Sequence, residues 1–191
     1  MAHSATGIHS TGHGVDRLKS DMMTIPKVRF IASPHCDFRA HAHDIRLIVI
    51  HNISLPAGEF GGEDIIALFT GTLNTAGRPD YHALKGLRVS AHFLIRRDGE
   101  LIQFVPVERR AWHCGASVWR GWERCNDFSI GIELEGCDTT AFTDAQYAQL
   151  NALLILLRQQ WPGVALAGHS DIAPGRKTDP GPYFDWKRIH G

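Results

Sequence analysis

Residues 168–182, GHSDIAPGRKTDPGP, concentrate reactive side chains on a stiff backbone, since a histidine, a lysine and two aspartates lie among three prolines and three glycines. A zinc site that hydrolyses a bond needs three protein ligands and one open position for water. His169 offers one ligand, and Asp171, Asp179, a cysteine or another histidine could offer the third. The prolines beside Asp179 restrict its backbone and favour it as a ligand, whereas Asp171 could instead form a local turn. The spacing leaves both aspartates open.

A second histidine occupies an equivalent place at the end of another apolar run. The runs RLIVIHN (46–52) and VALAGH (164–169) predict two buried strands, with His51 and His169 at their carboxyl ends. Strand ends of an open α/β sheet converge on one crevice. A single histidine there is more often a structural hydrogen-bonding residue. Two histidines at equivalent strand ends raise the odds of a shared site to about even.

The segment FSIGIELEG (128–136) alternates apolar residues with small or acidic ones and predicts a strand. Glu133 lies on the face opposite the apolar residues, and Gly131 leaves that face unobstructed. A carboxylate beside a metal can take a proton from water. Glu133 is therefore a candidate general base, and Glu135 on the same face competes with it. Both could also be half-exposed residues on a solvated face.

Lys177 lies two residues before Asp179 in the proline-rich segment. A cation at this place could stabilise the oxyanion of a tetrahedral intermediate. The alternative is an ordinary surface lysine, which is the commoner case for any single lysine.

The rest of the pattern supplies the elements that must position these residues. Residues 89–105 predict a β-hairpin that turns at an Asp-Gly pair, and a short helix is predicted at about 63–73. A longer helix begins at Thr143 with a capping box and is stopped by Pro162. Two segments lack such patterns. Residues 74–87 are predicted to form a loop, and residues 106–127 an irregular stretch.

The order of these elements indicates the fold class. A strand at 128–136, the long helix and a strand at 164–169 predict a right-handed crossover between two parallel strands. The hairpin makes another part of the sheet antiparallel. The expected fold is α/β, a single domain with a mixed central β-sheet flanked by helices.

Composition restricts the classes of partner. The 191 residues suit one domain, and their formal net charge is zero, which disfavours nucleic acid or an anionic membrane surface as a partner. No apolar run reaches the length of a membrane span. The four cysteines form no CxxC pair, so we expect free thiols in a reducing compartment.

The amino-terminal residues differ in composition from the rest. Residues 1–21 are rich in His, Gly, Ser and Thr and lack the apolar stretch of a signal peptide. We expect a flexible leader over 1–21, a folded domain over 22–191 and a cytoplasmic location.

Five stretches together resemble one known family, in the order in which that family carries them: IHNISLP, SAHFLIRRDG, AWHCG, SIGIELEG and GHSDIAPGRKTDPGP. They look like the zinc-dependent N-acetylmuramoyl-L-alanine amidases, whose fold is shared with phage amidase lysozymes and peptidoglycan recognition proteins. The resemblance runs from about residue 28 to residue 189. It implies zinc as cofactor and a muropeptide, an anhydro-N-acetylmuramyl peptide, as substrate, with no protein partner indicated.

The resemblance also implies a role for each candidate residue. It makes His51, His169 and Asp179 the zinc ligands, which favours Asp179 over Asp171. Glu133 and Lys177 match the catalytic glutamate and lysine of the family. The implied reaction hydrolyses the amide between the lactyl group of muramic acid and L-alanine, in cell-wall recycling and indirectly in the control of β-lactamase induction. A non-catalytic peptidoglycan-binding module is the alternative, although such relatives usually lose a metal ligand.

Candidate substrate contacts surround these positions. Asn52 could hydrogen-bond the peptide, and Trp112 could stack on the sugar or belong to the core. His113 could line the site or brace it. Arg88 and Arg124 could pair with carboxylates of the stem peptide.

Overall fold

The computed structural model describes residues 27–189. The predicted leader at 1–21 lies outside this range, so its prediction stays untested. Within the described residues there are ten strands, with these bounds: β1 Val28–Phe30, β2 Cys36–Phe38, β3 Leu47–Ile53, β4 Phe93–Ile95, β5 Leu101–Gln103, β6 Arg109–Ala111, β7 Val118–Trp119, β8 Trp122–Glu123, β9 Ser129–Glu135 and β10 Ala165–Gly168. Three α-helices accompany them: α1 Asp64–Thr70, α2 Asp144–Gln160 and α3 His169–Ile172.

Six strands form the central sheet, in the order β1-β5-β4-β9-β3-β10. β3 is parallel to both β9 and β10, and β4 is parallel to β9. The hairpin of β4 and β5 is antiparallel, as predicted. The mixed sheet is thus confirmed. The crossover through α2 does join two parallel strands, but it skips one position, because β3 lies between β9 and β10.

Each face of the sheet carries a helix. The α2 helix packs its apolar stripe on the face that Ile130, Ile132 and Leu134 of β9 present, and α1 covers part of the opposite face with Ile65 and Phe69. This arrangement confirms the expected α/β domain. Because both faces are covered, every residue of β9 is buried. None of the helices within residues 27–189 has the length and apolarity to cross a membrane.

Local signals explain where α2 begins and where α1 ends. Thr143 Oγ1 accepts a hydrogen bond from the Gln146 backbone N–H at 3.1 Å, and Gln146 Oε1 accepts one from the Thr143 N–H at 3.1 Å. This reciprocal pair is the predicted capping box. The first helix ends at Thr70 rather than at residue 73, because Gly71 adopts the left-handed conformation (φ 74°) that closes a helix.

Two segments predicted to lack regular structure contain short elements. Residues 74–87 include a 3₁₀ helix at Pro79–Leu84, which a proline begins and the buried ring of Tyr81 anchors. Residues 106–127 include β6, β7, β8 and a 3₁₀ turn at Cys125–Asp127. The prediction was wrong here because strands of two or three residues are too short to show a period. All four cysteines are free thiols, as predicted.

A buried arginine connects the 106–127 segment to the sheet. Arg39 is 7% exposed, and its guanidinium donates to four backbone carbonyls, those of Val107, Asn126, Asp127 and Ser129, at 2.6–3.2 Å. Ser129 is the first residue of β9, so Arg39 secures the start of a central strand.

Arg39→Met should therefore lower the free energy of unfolding by about 3 kcal/mol, because it leaves buried carbonyls without donors. Urea unfolding followed by circular dichroism measures the change. Arg29→Met is the matched control, since the half-exposed Arg29 guanidinium lies 3.5 Å from Glu100, and we expect a loss of at most about 0.5 kcal/mol. Equal losses in the two variants would contradict the role assigned to Arg39.

Candidate metal centre

The strand register brings the first candidate ligand beside the candidate base. β3 extends to Ile53, so His51 lies two residues before the strand end rather than at it. In the parallel pairing of β3 with β9, His51 stands opposite Glu133. Paired residues of neighbouring strands point to the same face. Both side chains therefore occupy the face opposite α2, and His51 is only 1% exposed.

The second histidine begins a turn immediately after the last strand. β10 ends at Gly168, and His169 opens the single turn of α3. Asp171 Oδ2 accepts the Gly168 N–H at 2.7 Å, so Asp171 caps this turn, as the local-turn alternative for it predicts. The Ser170 N–H donates to the Asp179 carbonyl at 2.9 Å. This bond holds the Asp179 segment against the turn that carries His169.

Gly168 lets the two segments approach closely. A Cβ at this position would lie 2.8 Å from Cδ of Pro180, which is nearer than real side-chain contacts allow. The proline after Asp179 thus packs directly on the residue before His169. Gly168 and Pro180 together set the separation between His169 and Asp179.

Three ligand atoms meet at one point. His51 Nδ1, His169 Nδ1 and Asp179 Oδ2 are each 3.0 Å from the other two. Tetrahedral zinc with nitrogen and oxygen ligands separates its donors by roughly 3.3 Å, as the usual bond lengths of about 2.0–2.1 Å require. The three atoms can therefore hold a metal ion with a small adjustment.

The protonation states also suit a metal. Burial lowers the pKa of His51 to about 4, so the ring is neutral near pH 7. Burial alone would raise the pKa of Asp179, but hydrogen bonds with His169 and His51 outweigh it and hold this pKa well below its usual range. A neutral His51 imidazole and an ionised Asp179 carboxylate are forms that bind divalent metals.

A second group of donor atoms fits a metal less well. His51, His113 and Cys114 also lie close together. Burial raises the pKa of the Cys114 thiol far above its ordinary value, and a protonated thiol is a poor ligand. His51 Nε2 lies 2.9 Å from His113 Nδ1, which is a hydrogen-bond distance. The contact with His113 supports the His51 ring through Nε2, the nitrogen that does not face His169 and Asp179.

The two acidic residues of β9 have different surroundings. Glu135 Oε1 accepts the Gly61 N–H at 2.7 Å, and its Oε2 accepts the Arg97 N–H at 3.1 Å. Glu133 is buried, and its Oε2 has no hydrogen-bond partner within residues 27–189. The face is not solvated, so the half-exposed alternative for both glutamates is wrong. Glu135 is held by the protein, and Glu133 has an oxygen available for a substrate proton.

Glu133 makes stability depend on pH in metal-free protein. Burial, and after it the negative charge of Asp179, raises the pKa of Glu133 well above its ordinary value of 4.5, against the effect of Lys177. A raised native pKa stabilises the fold below the unfolded-state pKa, and this stabilisation disappears as the pH rises through the native pKa. Glu133→Gln should therefore gain stability relative to the parent protein as the pH rises above the ordinary carboxyl value of 4.5. Urea unfolding in chelator at several pH values measures this, and a difference independent of pH would contradict it.

Lys177 lines a cleft beside the candidate ligands. The cleft has a volume of about 680 Å³ and is lined by these residues: Asn52, Ala57, Gly58, Cys137, Asp138, Thr139, Arg176, Lys177, Thr178 and Asp179. Lys177 is exposed, and its charge acts on Glu133, whose pKa it lowers. The cleft thus joins Asp179 to the one lysine predicted to stabilise an oxyanion.

Three of the predicted substrate contacts lie in different surroundings. Asn52 lines the cleft, but its amide N–H₂ donates to Asp138 Oδ1 at 2.7 Å and to the Pro180 carbonyl at 3.0 Å. His113 contacts His51, as described above. Trp112, by contrast, stacks on His35, with ring centroids 6.1 Å apart.

The two predicted arginines are both exposed. Arg124 adopts a left-handed conformation (φ 60°), and its Nε lies 3.2 Å from Asp127 Oδ2. Arg88 makes no hydrogen bond or ion pair with the described residues, so its guanidinium is available to a ligand. The structure does not place either arginine in the lining of the cleft, and their roles stay predictions.

Residues that sequence reasoning missed also border the site. Asp138 lies three residues after the end of β9 and fixes Asn52, and the strand-end rule that singled out His51 could have found it. Arg176 donates to the carbonyls of Cys114 and Ala116 at 2.6 Å each. The Cys114 carbonyl also lies 3.0 Å from His169 Nε2. No pattern in the sequence could reveal this side chain-to-backbone contact.

Comparison with known proteins identifies the family. The N-acetylmuramoyl-L-alanine amidase family matches residues 41–182. The 1,6-anhydro-N-acetylmuramyl-L-alanine amidase AmpD of Escherichia coli K12 is 59% identical over 163 residues, which cover 84% of this chain and 89% of that protein. A crystal structure of a selenomethionine AmpD derivative aligns with a TM-score of 0.83 and 55% identity, over 87% of this chain and 93% of that one.

A further solved structure contains a substrate. The amidase AmiD of Escherichia coli, in complex with anhydro-N-acetylmuramic acid-L-Ala-D-γ-Glu-L-Lys, aligns with a TM-score of 0.55 and 30% identity, over 76% of this chain and 56% of that one. Sequence motifs, fold and relatives agree, and the chain belongs to the N-acetylmuramoyl-L-alanine amidase family.

Proposed function

We propose that this protein is a zinc-dependent amidase that hydrolyses the bond between the lactyl group of 1,6-anhydro-N-acetylmuramic acid and L-alanine in muropeptides. The observation that carries the proposal is the meeting of His51, His169 and Asp179 beside Glu133. Three donors with a carboxylate on the adjoining strand are what metal-assisted hydrolysis needs. The names of the similar proteins supply the substrate class.

Each residue then has a chemical task. Zinc, when bound by the three ligands, supplies a positive charge that polarises the carbonyl and makes water more acidic. Glu133 takes a proton from the attacking water and delivers it to the departing amine of L-alanine, a task that a raised pKa favours near neutral pH. Lys177 stabilises the negative oxygen that develops on the former carbonyl.

The charges that line the cleft suit a peptide of this class. Arg176 and Lys177 place positive charge along it, and a muropeptide stem carries carboxylates. Asn52 keeps its amide oxygen for the substrate, since its N–H₂ donates within the protein. We assign Arg88 and Arg124 to stem carboxylates and Trp112 to the sugar. Free thiols at all four cysteines support a reducing compartment such as the cytoplasm.

Mass spectrometry of a purified anhydro-muropeptide incubated with the protein tests the proposal. We expect free L-alanine-initiated peptide and anhydro-muramic acid, loss of the reaction in chelator, and recovery after zinc is added. A parallel incubation with polymeric peptidoglycan determines whether soluble fragments are preferred. An intact muropeptide in the presence of zinc would contradict the enzymatic proposal and favour the binding-module alternative.

A further inference from the structure

His113 lies behind the metal ligands, and its ring nitrogens both contact protein groups. His113 Nδ1 is 2.9 Å from His51 Nε2, and its Nε2 is 3.2 Å from Ser129 Oγ. We infer that His113 is a positioning residue that orients His51 as a metal ligand, rather than a substrate contact. This inference rests on the proposed zinc function of His51.

The hydrogen bonds permit one arrangement of protons once His51 binds a metal through Nδ1. His51 Nε2 must then carry the hydrogen, because the other nitrogen uses its lone pair. His113 Nδ1 must accept that hydrogen, so the His113 hydrogen is on Nε2 and is donated to Ser129 Oγ. The chain from the ligand to Ser129 therefore fixes both tautomers and the plane of the His51 ring.

The strand beneath the ring is built to admit it. A Cβ on Gly131 would lie 2.5 Å from Cγ and Nδ1 of His113, closer than any side chain tolerates. The Gly131 N–H is itself fixed by His92 Nδ1 at 3.0 Å. The absence of a side chain at Gly131 thus serves the His113 ring, which needs the space above the strand.

The two histidine ligands have different partners. His169 Nε2 lies 3.0 Å from the Cys114 carbonyl, and a backbone carbonyl is a common acceptor for the second nitrogen of a histidine ligand. The partner of His51 Nε2 is instead the neutral imidazole of His113. A carboxylate in that place would make the ligand more basic and add negative charge near the metal. A neutral partner orients His51 without that charge, which preserves the ability of the metal to polarise a carbonyl.

Zinc affinity of variants tests the inference. His113→Ala should weaken zinc binding by ten- to a hundredfold, as loss of such partners does at other zinc sites. His113→Asn should recover most of the affinity, because the asparagine Oδ1 can replace Nδ1 as acceptor. Ser129→Ala should lose a few-fold, because it removes only the far end of the chain. Competition with a chromophoric chelator measures each dissociation constant, and urea unfolding reports folding.

The matched control is Tyr147→Phe, which removes one hydrogen bond, from the Asp185 N–H to Tyr147 Oη (2.7 Å), on the α2 side of the sheet. We expect its zinc affinity to match that of the parent protein. If His113→Ala fails to fold, His113→Asn and Ser129→Ala still give the ordering, and unchanged affinity in Ser129→Ala would then contradict the inference. Parental zinc affinity in a folded His113→Ala variant, with an increased KM, would show a substrate contact and overturn it. A parent protein that binds no zinc would instead contradict the proposed function itself.

Discussion

Glu133→Gln should reduce kcat by about 10²–10⁴-fold while zinc remains bound. Glutamine has the shape of the glutamate but cannot accept the proton of the attacking water. Glu133 is not among the three residues whose atoms meet at the candidate metal centre, so we expect zinc affinity to change by less than a few-fold. Steady-state kinetics on anhydro-muropeptide, with metal analysis of the same sample, measures both quantities.

Glu135→Gln is the matched control for this prediction. It makes the same substitution two residues along the same strand face, but Glu135 accepts backbone N–H groups of the Gly61 and Arg97 loops. We expect it to lower the free energy of unfolding and to leave the kcat of the folded protein largely unchanged. Full activity of Glu133→Gln would contradict its role as the base, and a greater loss of kcat in Glu135→Gln would exchange the two assignments.

Asp179→Asn should weaken zinc binding by at least about a hundredfold and abolish activity at ordinary zinc concentrations. The amide has nearly the same shape but lacks the negative charge, which imidazole ligands do not supply. The backbone should keep its place, because the Ser170 N–H bonds to the carbonyl of Asp179 and not to its side chain. Chelator competition and activity at increasing zinc concentrations test the prediction.

Asp171→Asn separates the two aspartates that compete as ligand in the sequence. Asp171 accepts the Gly168 N–H at 2.7 Å and lies on the turn itself. Its substitution should cost at most about 1 kcal/mol of stability, because the asparagine Oδ1 can still accept the Gly168 N–H, and zinc affinity should be kept. If Asp171→Asn released zinc and Asp179→Asn retained it, the proposed ligand set would be wrong.

The parts of the site on the central strands were predictable from sequence, because long apolar runs and alternation report burial directly. RLIVIHN and FSIGIELEG placed His51 and Glu133 on strands, and the register of a parallel pair then brings them together. The choice between Asp171 and Asp179 was not predictable from residue types, since both are equally good ligands. It depends on how the segment folds back against Gly168, which only the structure and the family resemblance reveal.

The short elements and the support behind the ligands could not be predicted. β6, β7 and β8 are two or three residues long and carry no period. The contact between His113 and His51 joins residues 62 positions apart, and Arg39 reaches carbonyls up to 90 positions away. Such contacts depend on where backbone groups meet in three dimensions, and a side chain-to-carbonyl bond imposes no pattern on the sequence.

The order of the proposed ligands along the chain determines when during synthesis the metal centre can form. His51 is separated by 118 positions from His169 and by 128 from Asp179, and chains emerge from the ribosome amino terminus first. His51 and then Glu133 are therefore made before the two ligands that complete the proposed zinc site. We expect the nascent chain to acquire its metal only after Asp179 has emerged, which keeps a chain without a complete zinc site inert.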